Sequence, residues 1–189
     1  MSKSMFRVPF SIKLLVQLAM LVALEIVLNR FLSIRTPIVK IGFAFVPIVI
    51  CATAHGPIWA SLVYIIADVT GTLIEGNVPL PGLTLSCACI GFVFGIFLFE
   101  LDRSKLSSAK MWTRIVLAVA INQLVFSLVC NSYWLWSAGF IGRDVPYITC
   151  VGARVPQTLI LTAVQLVLTP ALIQIVRILR KQKLLPQHA

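Results

Sequence analysis

Six long apolar runs, separated by short polar or proline-rich breaks, decide what this chain can become. Crossing about 30 Å of hydrocarbon takes roughly 20 apolar residues in a helix. Hydrocarbon offers the backbone no partner, so each N–H and C=O must be satisfied within the run, and the run winds into a helix. The runs extend from Ser11 to Leu32, Gly42 to Ala54, Pro57 to Ile74, Leu83 to Leu101, Met111 to Trp136 and Tyr147 to Leu179, the short second one borrowing residues from Ile38 onward. With 59% hydrophobic and 12% charged residues, the composition excludes an ordinary soluble domain. The expected fold is all-α: one integral membrane domain over residues 1–189 with six transmembrane helices. The first run follows Lys3, Arg7 and Lys13, as in a secretory leader, but it is too long, contains Glu25 and lacks a small-x-small cleavage site, so it reads as a retained helix.

Six spans put both termini on one side. That side collects Lys3, Arg7, Lys13, Arg103, Lys105, Lys110, Arg114, Arg177, Arg180, Lys181 and Lys183, and the other only Arg30, Arg35, Lys40, Arg143 and Arg154. The bias of basic loops toward the cytoplasm makes both termini cytoplasmic. The net charge of +10 is then a topology signal facing the anionic inner leaflet of the bilayer, and nucleic acid is not needed to explain it. The five outer cations run against this bias and ask for an anion, either a bound ligand or, for Arg35 and Lys40, a lipid headgroup. They are densest between Arg30 and Pro47, where Arg30, Arg35, Lys40, Pro37 and Pro47 interrupt the hydrocarbon character.

Depth along the helices, at 1.5 Å per residue, brings three ionisable groups to one level. Glu25, Asp68 and Arg154 each lie six or seven residues from the outer end of their runs, roughly 10 Å below the surface. Charges inside a membrane are expensive and mark a site or a structural ion pair. Both readings stand here: a pocket floor, and a pairing of Arg154 with Asp68 or Glu25. In the fifth run, Asn131, Tyr133, Trp134 and Trp136 form either an interfacial aromatic belt or a stacking wall for a flat ligand. His55-Gly56-Pro57 is a tight turn with Pro57 opening a helix, and Thr84 is a candidate N-cap for the fourth helix. The pairs Ala19/Ala23, Ala67/Gly71 and Gly91/Gly95, each four apart, let helices approach closely.

The chain lacks a phosphate-binding loop, a zinc-peptidase His-Glu-x-x-His and a Gly-x-Ser-x-Gly elbow. Its five cysteines sit mostly in apolar runs as small hydrophobes. No catalytic residue, metal or cofactor is expected. An intramembrane enzyme using Asp68 or Glu25 would need a second catalytic group that the sequence does not supply.

Several blocks together resemble the substrate-binding S components of energy-coupling factor (ECF) vitamin transporters, folate family. They are Arg30 to Pro47, His55-Gly56-Pro57, Ala67-Asp68-Val-Thr-Gly71, Pro81-Gly82-Leu83-Thr84-Leu85-Ser86 and Arg154-Val-Pro156. The resemblance implies a bundle that captures a vitamin from outside and docks on a transmembrane coupling subunit carrying two ATPases, with Ala19 and Ala23 as the docking face. It further implies a ligand site drawn from Arg30, Arg35, Lys40, Asp68, Pro81, Gly82, Thr84, Asn131, Tyr133, Trp134 and Arg154. The glutamate tail of folate would meet the cations, Asp68 and Asn131 the pterin N–H groups, and Tyr133 or Trp134 the ring face. The family's Phe-Pro-Gly-Phe-Thr reads Leu80-Pro81-Gly82-Leu83-Thr84 here, two aromatics short. An S component for pantothenate or riboflavin would keep the fold and change the pocket.

Overall fold

The computed structural model describes residues 11–35, 40–99, 101, 108–139 and 146–182. Lys3, Arg7, Pro37, Arg103, Lys105, Arg143 and Lys183 lie outside them. Six helical segments follow in order: α1 (Ile12–Arg30), α2 (Phe45–His55), α3 (Pro57–Ile74), α4 (Pro81–Leu98), α5 and α6 (Tyr147–Lys181). Segment α5 is continuous but not uniform. It runs as α-helix over Ser108–Ala120, as π-helix over Ile121–Cys130 and as α-helix again over Asn131–Ser137. All but α2 are long and apolar enough to cross a bilayer, and α2 is a shorter apolar helix.

The ends of these helices follow local chemistry. Ser11 caps α1 by accepting from the Leu14 N–H at 3.2 Å. Gly56, at φ 92°, makes the turn between α2 and α3, and Pro57 fills the first position of α3, where a missing N–H costs nothing. Pro81 does the same for α4, so that helix begins two residues earlier than expected and its N-cap is Leu80, not Thr84. Thr84 lies inside the first turn, and its hydroxyl is free to bond elsewhere.

Between α1 and α2 the chain forms a two-residue antiparallel ladder, β1 (Ile34–Arg35) with β2 (Lys40–Ile41), pairing Ile34 with Ile41 and Arg35 with Lys40. The sequence predicts no strand there, because two residues are too few to display a period of two.

The bundle closes where side chains are smallest. A Cβ on Gly91 would lie 2.7 Å from the Ala60 carbonyl oxygen, and one on Gly95 would lie 2.1 Å from Pro57 Cα, so α3 and α4 touch backbone to backbone. Ser61 crosses the same seam, its hydroxyl 2.9 Å from the carbonyl of Ala88. Around it the apolar core gathers Ile48, Val49, Val63, Phe94, Leu98, Ile115 and Ile173 from α2 to α6. The prediction is direct. Gly95→Leu should lower stability by roughly 1 to 3 kcal/mol, since the obstructing atoms are backbone, seen as a drop in thermal midpoint in detergent. An unchanged midpoint would show that the seam can open freely.

Candidate functional site

A cavity of about 330 Å³ opens among α1 to α6. Its walls come from every helix: Asn29 of α1, Phe45 of α2 with Gly42 and Ala44 just before it, Tyr64 and Asp68 of α3, Cys87, Ile90 and Phe94 of α4, Asn122, Gln123, Ser127, Asn131 and Leu135 of α5, and Arg154, Gln157, Leu161 and Gln165 of α6.

The residues reach the cavity for geometric reasons. On α6, Arg154, Gln157, Leu161 and Gln165 are spaced by three, four and four, one face of an α-helix. On α5, Asn122, Gln123, Ser127 and Asn131 span the π-helical stretch and its end, where i→i+5 bonding brings residues four and five apart onto one side. Ordinary α-winding would turn part of this set away. Short π stretches inside α-helices occur often at functional sites, and this one forms the cavity wall.

Much of the polar lining is unpartnered. Arg154 is buried, with 6% of its surface exposed, and its Nε and Nη1 find no acceptor among the described residues. The carbonyl oxygens of the side chains of Asn122, Gln123, Asn131 and Gln165 are likewise buried without a donor among them. Asn122 does donate weakly, Nδ2 to the Ile90 carbonyl at 3.4 Å. Buried polar groups are nearly always satisfied in native proteins, so a cavity where donors and acceptors both wait is built for something that carries their complements. Asp68 is held in place: its Oδ2 accepts from the Thr84 hydroxyl at 2.8 Å, and the carboxylate keeps capacity for further donors.

The sequence expectations divide accordingly. Asp68, Asn131 and Arg154 line the cavity, and Thr84 anchors one of them. Arg154 forms no ion pair with Asp68 or Glu25 among the described residues, so the pairing alternative falls. Glu25 is fully buried and accepts from Asn29 Nδ2 at 2.7 Å, one step behind the cavity wall. Arg30 is engaged by Thr72 of α3 and by Glu75, which caps that helix, and does not line the cavity. For Arg35 and Lys40 only the backbone ladder is described. Pro81 starts α4. At Gly82 a Cβ would fall 2.0 Å from the Trp134 ring, so the glycine lets the indole lie against that first turn. Trp134 and Tyr133 are not in the cavity lining. Tyr133 contacts Trp134, Trp136 and Tyr147 at centroid distances of 5.3, 6.4 and 6.3 Å, an aromatic cluster at the end of α5 and the start of α6 that fits the interfacial-belt reading. Asn29, Tyr64, Asn122, Gln123, Gln157 and Gln165 are cavity residues that the sequence expectations omit. The spacing from Arg154 through Gln165 is the signal that points to the last two.

An apolar bundle around a polar, partly unsatisfied cavity defines a multi-pass membrane protein that binds a small polar ligand. The particular family follows from comparison: residues 13–173 match the family described as ECF transporter, substrate-specific component. This chain belongs to that family. Among similar proteins, the folate transporter FolT of Clostridium novyi (strain NT) is 36% identical over 125 residues, 66% of this chain and 69% of that one. FolT of Leuconostoc mesenteroides subsp. mesenteroides is 31% identical over 152 residues, 79% and 78% of the two chains. A crystal structure of FolT bound with folic acid superposes with a TM-score of 0.73 at 26% identity, covering 85% of this chain and 90% of that one.

The unpaired guanidinium carries a prediction about stability. Arg154→Met fills similar space without a buried charge, and should leave the ligand-free protein as stable or up to roughly 3 kcal/mol more so, read from thermal unfolding in detergent. A marked loss of stability would show that Arg154 is held by partners that matter to the fold.

Proposed function

We propose that this chain is the vitamin-capturing subunit of an ECF importer and that its ligand is folate or a related pterin. The observation that carries the reading is the buried Arg154 guanidinium turned to a cavity whose other walls offer a carboxylate and several carboxamides. Folate needs such a set: an anion for the cation, and a flat ring with N–H donors for Asp68 and the amide oxygens. The two FolT relatives and the folic acid complex support the choice over pantothenate or riboflavin. In this reading Arg154, joined by Arg35 and Lys40, meets the glutamate tail, and Asp68 and Asn131 meet the pterin. The chain performs no chemistry itself. It lies in the bacterial cytoplasmic membrane with both termini cytoplasmic and hands its ligand to a coupling subunit driven by two ATPases.

The docking face is α1. Ala19 and Ala23 are both exposed, among the exposed apolar residues Leu15, Val16, Met20, Leu24 and Val27, so another helix can approach closely there.

Mass spectrometry of ligand released from the purified protein tests the assignment: a folate should be recovered, and a different vitamin would overturn it. Arg154→Ala should weaken folate binding by roughly 2 to 5 kcal/mol, the usual loss when a buried charge loses its partner, whereas Arg143→Ala should change it little. Equal small effects in calorimetric titration would argue against Arg154 as the anion contact. Ala19→Trp or Ala23→Trp should leave binding intact and abolish uptake by the assembled transporter. Wild-type uptake by either variant would mean that this face does not dock.

A further inference from the structure

Arg30 ends α1 in a slot on the last turns of α3. Its Nη1 pairs with Glu75, its Nη2 donates to Thr72 Oγ1 at 3.2 Å, and its guanidinium lies on Gly71, where a Cβ would come within 2.7 Å of Nε. The slot is built from sequence spacing. Gly71 and Glu75, four apart, present a floor and a carboxylate on one face, and Thr72 adds a hydroxyl whose own proton goes to the Asp68 carbonyl at 2.7 Å. The Arg30 side chain is 10% exposed and that of Glu75 27%, so the pair is sheltered on one side and open on the other.

What Arg30 holds is the end of α1 that borders the cavity. Its neighbour Asn29 lines the cavity, and Ser33 closes α1 by donating to the Asn29 carbonyl at 2.6 Å. A Cβ on Gly42 would lie 2.7 Å from Ser33 Cβ, so Gly42, which also lines the cavity, rests on this same helix end. Asp68, also in the lining, stands on α3, the helix that Glu75 caps. The pair therefore ties the part of the cavity wall that α1 supplies to the part that α3 supplies. We infer that the Arg30–Glu75 pair is a clamp that fixes the spacing of the α1 and α3 parts of the cavity wall, making Arg30 and Glu75 positioning residues for ligand capture, neither of them touching the ligand.

The inference rests on the folate reading for its ligand, and its test separates the two. Affinities are measured by calorimetry for wild type, R30A, E75A and the double variant, with folate and with pteroate, which lacks the glutamate. A clamp predicts that each single change weakens binding about tenfold, that the double variant is no worse than the worse single, and that both ligands lose by the same factor. The charge-exchanged pair R30E/E75R should recover most of the loss. If R30A weakens folate but not pteroate while E75A spares both, Arg30 is a direct contact to the tail and the clamp is overturned. Hydrogen–deuterium exchange of the ligand-free protein supplies an independent arm, with E75Q as the milder variant. Faster exchange in E75Q confined to residues 29–33 and 42–45 supports the clamp, and unchanged exchange there overturns it. Failure of the wild type to bind folate would sink the vitamin assignment alone, leaving the exchange comparison to decide the clamp.

Discussion

Inside hydrocarbon a backbone carbonyl has only its own helix to turn to, and this requirement shapes both the scaffold and the site. It forces the apolar runs into helices, and it permits α5 to change its winding only by exchanging one complete set of backbone bonds for another. Between Ile121 and Cys130 the helix does so, shifting to i→i+5 bonds without leaving the membrane. The result is a wall on which Asn122, Gln123, Ser127 and Asn131 face one space. The backbone stays satisfied while the side chains do not, and that imbalance is what a ligand can answer.

Two arginines show how differently the same side chain can be used. Arg30 lies over a glycine, beside a hydroxyl and against a carboxylate, so its charge is spent within the protein. Arg154, more fully buried, is left with two nitrogens unanswered among the described residues. A planar fork of donors suits either task, because its geometry matches a carboxylate whether that carboxylate is fixed on α3 or arrives from solution. Which task each performs depends on neighbours supplied by other helices.

That dependence explains what could be read from the sequence. Helix number, the Gly56-Pro57 turn and the close seams at Gly91 and Gly95 are legible because they follow from run length and residue size. Asp68 and Arg154 stand out because a charge in an apolar run is costly enough to be conspicuous. The role of Glu75 is not legible, since its partner is 45 positions away and nothing local announces the pairing. Asn122 and Gln123 are hidden for another reason. Adjacent residues on an α-helix point in different directions, and only the change of winding, which the sequence does not display, turns both to one cavity. Thr84 resembles a cap from its place after Pro81-Gly82, yet Pro81 has already begun the helix and the hydroxyl serves Asp68 instead.

A cavity whose polar groups are answered only by its ligand makes the loaded and empty chains thermodynamically different proteins. Any compound that binds the native fold alone raises stability by RT ln(1 + [L]/Kd), about 4 kcal/mol at a thousandfold excess over Kd. A difference of that order alters how often a membrane protein opens enough to be recognised and degraded. Binding energy alone thereby couples the lifetime of a receptor of this kind to the supply of its ligand: scarcity shortens it and abundance prolongs it. Quality control, acting on nothing more than the frequency of opening, senses whatever fills such a cavity.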